Sequence, residues 1–419
     1  MKETIDIAKE VLKNNRRSGY TLPTNNELYP AQWNWDSAFI SLGYSYFNLE
    51  YAIVELEKLI SGQWDDGMIP HILFHDNDES YFPNHKTWDC GNKIPSSGIT
   101  QPPIIATIIK KIVDQNKLNQ SQLKRVEVII KKLKKYLDWF FNYRDTNKIG
   151  LVSIIHPWES GLDNSPIWDS SLDKVKIEEN LKYERRDLNV SRSSNRPLKK
   201  DYDGYITLLN QFKKDKYNPS KIVNDSMFNV IDIGFNSILI RATKDLVEVG
   251  KKFNLDFTDL KNKISKSEES LIKFYKDEEQ SFFSYDLKNH NLIKVDAISN
   301  YFVLFANLQN EDINNKIINK LKEYNSQKEY FFTTVNPEDK TFEETRYWRG
   351  PVWINSNWIV CQGLLDKDKN FSNLIKNKTL ELLENKKFHE YYNYKTGECL
   401  GANNFSWSAA LYLDFKLNN

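Results

Sequence analysis

The chain has 419 residues, enough to bury a large hydrophobic core in one big domain or in two. Its 58 basic and 57 acidic residues leave a net charge of +1, so no overall field favours nucleic acid or an anionic membrane as a partner. Three scattered cysteines (Cys90, Cys361 and Cys399) are too few for a disulfide framework or a zinc site. No signal-peptide pattern and no apolar run of roughly 18 residues is present, which predicts a soluble, cytoplasmic protein.

Apolar residues recur at helical spacing along the whole length of the chain. Asn119 and Asp225 stand where N-caps are expected, before the segments that begin at 120 and 226. The predicted helices are, in chain order, 5–14, 37–47, 52–61, 103–113, 120–143, 202–212, 226–249, 257–275, 312–324, 352–365, 371–385 and 406–415. These amphipathic segments predict an all-α fold. Six antiparallel pairs closed into an (α/α)6 toroid are one arrangement, among several, that fits the pattern.

Strand signals are short and few, at 150–156, 280–286 and 329–335. The segment 176–200 is polar and lacks helical periodicity, so we predict a long loop or lid there. Long structured loops in compact domains usually serve function. We expect a single domain over residues 1–419, with the connecting loops gathered at the end of the ring where the active site lies.

Aromatic residues make up 13% of the chain, and several of the 11 tryptophans stand in polar segments punctuated by Gly and Pro. Such segments are "QWNWDSAF" (32–39), "HPWESGLDNSP" (156–166), "RYWRGPVWINSNW" (346–358) and "NNFSWSAA" (403–410). A tryptophan beside acids, amides and arginine suits a sugar site, because the ring covers C–H groups while polar neighbours bind the hydroxyls.

Five acids in these aromatic-rich segments are candidates for catalysis: Asp36, Glu159, Asp163, Glu390 and Glu398. Hydrolysis of a glycosidic bond needs two carboxyl groups, one to protonate the leaving oxygen and one to activate water or attack carbon. The acid must keep its proton at neutral pH, which apolar rings or a neighbouring carboxylate favour. Asp163 has both Trp158 and Glu159 close in sequence.

Two other interpretations remain open at this stage. Glu159 and Asp163 would also serve as caps of a helix that starts after Pro166. His71 and His75 have the i,i+4 spacing of a zinc pair, but no acidic third ligand stands nearby in a recognisable pattern. We therefore predict neither a metal site nor a cofactor.

The motifs "QWNWDSAF", "SGITQPP" (97–103), "HPWESGLDNSP", "RYWRGPVWINSNW" and "EYY…TGE…G…NFSWSA" stand in the order seen in glycoside hydrolase family 63, which this chain resembles. The resemblance spans residues 32 to 410. It implies an (α/α)6 barrel, a likeness to the trehalases of family 37, and hydrolysis of α-glycosides with inversion. By that resemblance Asp163 is the general acid and Glu390 the general base. Glu398 would be a sugar-binding residue and the fallback base.

Within the family, the short chain is similar to the mannosylglycerate and glucosylglycerate hydrolases. The segment "NRPLKKDYDGY" (195–205) matches the element that holds the glycerate carboxylate in those enzymes, and Arg196 and Tyr202 carry over. A guanidinium with a phenol is a natural carboxylate clamp. The resemblance places Tyr81 and Gln101 on the glycerate side. The other predicted substrate contacts are Trp35, Asp36, Trp158, Glu159, Tyr347, Trp348, Arg349, Trp353 and Trp407.

The sequence departs from the family at Gly204, where a larger residue is common, and in the basic character of 176–200. Both departures bear on lid closure and leaving-group choice. An α-glucosidase or trehalase-like hydrolase is the near alternative, and a non-catalytic sugar-binding protein is the distant one. A small glycoside is the expected partner, and homo-oligomerisation stays open.

Overall fold

The computed structural model describes residues 3–25, 28–76, 79–190, 193–325 and 330–418. The helices in these ranges are α1 (Thr4–Asn15), α2 (Asn34–Ser45), α3 (Leu49–Ile60), α4 (His85–Trp88), α5 (Ile105–Gln115), α6 (Gln120–Trp139), α7 (Asp169–Leu172), α8 (Asp187–Val190), α9 (Lys199–Lys214), α10 (Pro219–Asp225), α11 (Ile233–Lys252), α12 (Thr258–Ile272), α13 (Val303–Ala306), α14 (Glu311–Asn325), α15 (Ile354–Leu364), α16 (Lys369–Lys386) and α17 (Ser406–Leu417). The fold is helix-rich, and among the described helices none combines the length and apolarity that a bilayer crossing needs.

The strands in the described ranges are short and pair antiparallel. They are β1 (Gln32–Trp33), β2 (Ile72–Leu73), β3 (Val230–Ile231), β4 (Tyr275–Lys276), β5 (Ser281–Phe282), β6 (Ser284–Asp286), β7 (Asn291–Ile293), β8 (His389–Tyr392) and β9 (Cys399–Asn403). β1 pairs with β2, β4 with β5 and β8 with β9, while β6 lies between β3 and β7. These short sheets connect helices. Strands β1 and β8 each contribute a residue to the lining of the cavity described below.

Six helices contact one another in a closed cycle. α2 packs against α5, α5 against α11, α11 against α13, α13 against α15, α15 against α17, and α17 against α2. Further helices pack around this cycle: α1 against α17 and α2, α3 against α2, α6 against α5 and α11, α12 against α11, and α16 against α15 and α17.

Burial distinguishes the helices of the cycle from those packed around it. Every residue of α2 is buried, and so are residues 406–415 of α17. The buried polar groups of α2 are paired, as when the Ser41 hydroxyl donates to the Ala52 carbonyl at 2.9 Å. Gly43 of α2 allows α17 to pack closely, because a Cβ there would come within 2.5 Å of the Ala410 Cβ. In contrast, α6 buries one stripe, which consists mainly of Val126, Ile129, Ile130, Leu133 and Leu137, and exposes lysines on its other face.

Most predicted helices are confirmed to within a few residues of their ends. Asn119 caps α6 as expected and accepts from the Gln122 backbone N–H at 3.0 Å. The prediction that Asp225 caps a helix was wrong: it ends α10, and Asp232 caps α11 by accepting from the N–H groups of Gly234 and Phe235. The segment 226–232, which contains β3, separates the two helices.

The strand predictions were only partly right. The segment 280–286 forms β5 and β6, whereas 150–156 contributes a single bridge, from Ile154 to Val230. Of the segment 329–335, residue 329 lies outside the described residues, and bridges occur at Thr333 and Val335. The apolar residues of 150–156 and 331–335 are buried, although these segments form no more than isolated bridges.

Candidate active site

One cavity collects side chains from distant parts of the chain. Its charged lining is formed by Asp36 in the first turn of α2, Asp163 in the loop before residue 166, Arg196 before α9, and Glu390 in β8. Aromatic side chains make most of the wall: Tyr29, Trp33, Trp35, Tyr81, Trp158, Tyr202, Tyr347, Trp348, Phe405 and Trp407. Carboxyl groups framed by aromatic rings can bind a sugar and transfer protons to it.

The loop that carries Asp163 is fixed on both sides. Pro157–Ser160 form one 3-10 turn, which ends at Gly161 with φ 72°. A Cβ at Gly161 would lie 2.6 Å from the Trp35 ring, so both conformation and space require glycine there. The Tyr205 hydroxyl donates to the Asp163 carbonyl at 2.9 Å, and the Asn164 side chain accepts from the Trp348 N–H at 3.0 Å. Asp163 is thereby held at the cavity wall.

Burial raises the pKa of Asp163 to about 7. The Arg196 guanidinium and a hydrogen bond from Tyr347 act against this rise, while the negative charge of Glu390 adds to it. Asp163 therefore keeps a proton over a wide pH range, as a general acid requires.

Glu390 lies at an irregularity in the pairing of β8 with β9. Its Oε1 accepts from the Tyr29 hydroxyl at 2.7 Å, and its Oε2 accepts from the Ala402 N–H at 3.0 Å. Burial raises the pKa of Glu390, whereas Arg196 and these two donors lower it. Gly401 leaves room for the carboxylate, because a Cβ there would lie 2.5 Å from Oε2. Both carboxylate oxygens are thus occupied as acceptors.

Arg196 is buried and held by three side chains. Its Nε donates to Asp187 at 3.0 Å, and its Nη1 donates to the Tyr29 hydroxyl at 3.0 Å. Its guanidinium carbon lies 4.4 Å from the centre of the Tyr347 ring. Asp187 also accepts hydrogen bonds from Nε and Nη2 of Arg185. The guanidinium carbon of Arg185 lies 3.8 Å from the centre of the Tyr202 ring. The predicted lid segment therefore delivers one cation into the cavity.

Asp36 supplies a third carboxyl group to the lining, and it is buried. Burial raises the pKa of Asp36 well above its ordinary value, and the charges of Glu390 and Asp163 raise it further. Nearby, the Trp35 and Trp407 rings meet edge to face with centroids 5.5 Å apart. A carboxyl group beside such ring faces is suited to bind a sugar hydroxyl.

Glu159 was predicted as a substrate contact, and that prediction was wrong. It does not line the cavity but forms two hydrogen bonds with Arg144, at 2.7 and 2.8 Å, and both side chains are 1% exposed. The capping interpretation also fails, since Ser165 accepts from the Ile167 N–H at the start of the turn Pro166–Trp168. Glu159 belongs to the core behind the site.

Three further predicted contacts lie outside the cavity lining. Arg349 binds both oxygens of Asp169, at 2.8 Å each, and supports the loop by donating to the Asn164 carbonyl. Trp353 stacks behind Trp348 with centroids 3.7 Å apart and is fully buried. Glu398 is exposed on the turn between β8 and β9 and does not reach the cavity, so its expected roles in sugar binding and as the fallback base are corrected.

Sequence reasoning missed several lining residues: Pro23, Tyr29, Trp33, Gly161, Pro197 and Phe405. Tyr29 is the most important, because it contacts both Arg196 and Glu390. The only signal for it was its position just before the "QWNWDSAF" motif.

His71 lines the cavity, although it was considered only as half of a metal pair. The two histidines bind different partners: His71 Nδ1 lies 2.6 Å from Ser97 Oγ, and His75 Nε2 lies 2.6 Å from Gln32 Oε1. Among the described residues, no group of three His, Cys, Asp or Glu side chains is arranged to hold a metal ion.

Comparison with known proteins places this arrangement in a family. Residues 29–408 match the family described as the mannosylglycerate hydrolase MGH1-like glycoside hydrolase domain. The chain belongs to this family. A mannosylglycerate hydrolase of Thermus thermophilus is 39% identical to it over 412 residues, which cover 97% of this chain and 99% of that protein. The predicted resemblance to glycoside hydrolase family 63 is confirmed, and the protein is a glycosidase.

Two further relatives extend the comparison. A crystal structure of the family 63 mannosylglycerate hydrolase from Thermus thermophilus, in complex with Tris and D-glycerate, superposes with a TM-score of 0.94 at 38% identity. That match covers 98% of this chain and 99% of the other. A glucosylglycerate hydrolase of Mycolicibacterium hassiacum is 29% identical, with 93% and 92% of the two chains covered.

Proposed function

We propose that the protein hydrolyses an α-hexosyl glycerate, mannosylglycerate or glucosylglycerate, to the free hexose and glycerate with inversion at the anomeric carbon. The observation that carries this proposal is the meeting of Asp163, Glu390 and Arg196 in one aromatic cavity. The relatives' names, mannosylglycerate hydrolase and glucosylglycerate hydrolase, support the substrate class.

In the proposed reaction Asp163 gives its proton to the bridging oxygen as the bond from that oxygen to the anomeric carbon breaks. A water molecule forms the new bond to the anomeric carbon from the opposite face and transfers a proton to Glu390. Proton exchange with solvent then restores both carboxyl groups. Such a pair is expected to be separated by about 6.5–9.5 Å, to leave room for the water.

The two environments support this assignment of roles. Burial raises the pKa of Asp163 to about 7, so it retains a proton to donate. Glu390 accepts two hydrogen bonds, from Tyr29 and Ala402, and both favour its ionised form. Two carboxyl groups whose environments favour different protonation states are typical of a general acid and general base pair.

Arg196, with Tyr202, Tyr81 and Gln101, is proposed to bind the glycerate part. Of these four, Arg196 alone is a cation, and a buried guanidinium attracts a carboxylate strongly. The Gln101 side chain is itself oriented, since its oxygen accepts from the Trp35 N–H at 3.2 Å.

Trp35, Asp36, Trp158, Tyr347, Trp348 and Trp407 are proposed to surround the hexose. Tyr347 has a left-handed backbone conformation, with φ 38°, which is costly for a residue with a side chain. Its ring lies against Arg196 and its hydroxyl hydrogen-bonds with Asp163, so we propose that this side chain lies between the two halves of the substrate.

For the architecture we propose a single (α/α)6 toroid, with α2, α5, α11, α13, α15 and α17 as its inner ring. The closed cycle of contacts among these helices supports it. The cavity residues lie in segments that precede α2, α4, α5, α7, α9, α15 and α17, in the first turns of α2, α9 and α17, or in β8, consistent with loops gathered at one end.

The proposal is tested by incubating the purified protein with mannosylglycerate, glucosylglycerate, trehalose and kojibiose, and measuring the sugar released. Turnover of one or both glycerate-bearing substrates, at a kcat/KM well above that of the two neutral disaccharides, is expected. Preference for a neutral disaccharide would refute glycerate as the leaving group.

A further inference from the structure

Tyr29 occupies the junction between the two halves of the site. Its hydroxyl lies 2.7 Å from Glu390 Oε1 and 3.0 Å from Arg196 Nη1, and the residue is buried, with 7% of its surface exposed. Its ring is fixed by edge contacts with Trp33 and Phe405, at 5.4 and 6.1 Å. Nothing in this packing requires a hydroxyl group, so the hydroxyl has another role.

The direction of the hydrogen bonds follows from donor chemistry. A guanidinium has only donors, so the Tyr29 oxygen must accept from Arg196. The single phenolic proton is then available to Glu390, which accepts it at Oε1 while Oε2 accepts from the Ala402 N–H. A protonated Glu390 could still accept from the Ala402 N–H, but a proton on Oε1 would require the bond with Tyr29 to reverse, onto an oxygen that already accepts from Arg196.

Beyond Tyr29 the chain of contacts continues to the lid. Arg196 donates on its other side to Asp187, which two nitrogens of Arg185 also bind. Four side chains therefore form one connected series, from Asp187 through Arg196 and Tyr29 to Glu390.

We propose that Tyr29 is the positioning residue of the catalytic base: its hydroxyl orients the Glu390 carboxylate, favours its ionised form, and connects it to the same Arg196 that binds the leaving group. The inference rests on the proposed function, and it adds a link between leaving-group recognition and the activation of water. Arg196 thereby serves both subsites.

Several charged and polar groups besides Tyr29 face Glu390. Among the described residues, Asp36 of α2 and Asp163 face Glu390 with like charge, and Tyr347 and Tyr391 interact with it as neutral phenols. Arg196 is the cation in this group. Arg196 lowers the pKa of both Glu390 and Asp163, and Tyr29 is a hydrogen-bonded link between this cation and Glu390.

The test is Tyr29→Phe, with Tyr391→Phe as the matched control. Tyr391 is adjacent to the base in sequence and also buried, but its hydroxyl has no hydrogen-bond partner among the residues that the structure describes. Removing an unpaired hydroxyl should leave kcat within about twofold of the wild type. For Tyr29→Phe we expect kcat to fall about tenfold, as for a lost hydrogen bond to a charged group, with KM changed less than about twofold.

The pH profile separates this role from a structural one. Removing the Tyr29 donor raises the pKa of Glu390, so the acidic limb of kcat/KM should move to higher pH. The shift of the acidic limb should be the same with a hexosyl glycerate and with a p-nitrophenyl α-hexoside as substrate, because it reports the pKa of Glu390. In the double variant with Arg196→Gln, the limb should move by less than the sum of the single variants, since both act through one path.

An unchanged acidic limb in Tyr29→Phe, or an equal shift in Tyr391→Phe, would overturn the proposal. If Tyr29→Phe does not fold, Tyr29→3-fluorotyrosine keeps the shape and makes the hydroxyl a stronger donor. The limb should then move to lower pH, and no movement or a rise would refute the role.

The outcome is separable from that of the proposed function. If the wild type cleaves none of the glycosides, the proposed function fails. The pKa of Glu390 can still be followed by carboxyl ¹³C NMR in the wild type and in Tyr29→Phe. A higher pKa in the variant is expected, and an equal one would refute the link.

Discussion

Arg144 and Glu159 form a buried ion pair behind the loop that carries Asp163. Nη1 lies 2.8 Å from Oε2 and Nη2 lies 2.7 Å from Oε1, and each side chain is 1% exposed. The same carboxylate accepts from the backbone N–H groups of Thr100, at 3.3 Å, and Ile155, at 2.9 Å. One charge therefore ties together the segment before Gln101 and the segment before Asp163.

Replacing Glu159 should lower the stability of the fold, because its role is structural rather than catalytic. Glu159→Gln leaves the Arg144 guanidinium buried without its counter-charge, and we expect the free energy of unfolding to fall by about 3–5 kcal/mol. Urea unfolding followed by circular dichroism measures it. The control is Glu127→Gln, which removes an exposed pair with Lys131 and should cost about 0.5 kcal/mol or less. Equal losses in the two variants would contradict the structural role.

Removing either proposed catalytic group should stop turnover without unfolding the protein. Asp163→Asn cannot donate a proton and Glu390→Gln cannot accept one, so each should lower kcat by about 100-fold to 10,000-fold. Glu398→Gln is the control, because Glu398 is exposed and outside the cavity. The measurement is kcat of each variant and of the wild type with the preferred hexosyl glycerate as substrate. Loss of activity in Glu398→Gln with retention in Glu390→Gln would reverse the assignment of the base.

Activity should depend on pH with two limbs. Burial raises the pKa of Asp163 to about 7, and only its protonated form donates, so kcat/KM should fall as pH rises through about 7 and then about tenfold per unit. At low pH the fall comes from protonation of Glu390, whose pKa burial also raises above its ordinary value. A profile over a constant-ionic-strength buffer series measures both limbs. A rate that stays level well above pH 7 would exclude Asp163 as the acid.

Arg196 should determine the preference for an anionic leaving group. Arg196→Gln removes a charge-assisted bond to the substrate carboxylate, and kcat/KM for a hexosyl glycerate should fall about 10- to 150-fold more than for a p-nitrophenyl α-hexoside. The neutral substrate controls for the effect of Arg196 on Glu390, which acts on both. Equal losses on the two substrates would contradict glycerate binding by Arg196.

The sequence predicted the helices well, because amphipathic periodicity directly reflects burial on one face. It also predicted Asp163, Arg196 and Glu390 as site residues, and these line the cavity. Their roles there remain proposals. The helix boundary at Asp225 was wrong because a short extended segment that contains β3, and then a second cap residue, Asp232, follow it.

Glu159 and Asp163 show where spacing alone fails. They stand in the same motif, but Glu159 lies within the turn Pro157–Ser160, and Asp163 follows the left-handed Gly161 at which that turn ends. One carboxylate is therefore buried against Arg144, while the other faces the cavity. Tyr29 was missed for a different reason: it lies 361 residues from its partner Glu390, and a lone tyrosine has no pattern that reveals such a contact.

The stereochemistry of hydrolysis tests the central claim most directly. We propose that Asp163 and Glu390 act on opposite sides of one glycosidic bond, with water between the base and the anomeric carbon. Proton NMR during the first minutes of hydrolysis of the preferred α-hexosyl glycerate identifies the anomer released before mutarotation. The β-anomer is the predicted first product, and first release of the α-anomer would contradict the account.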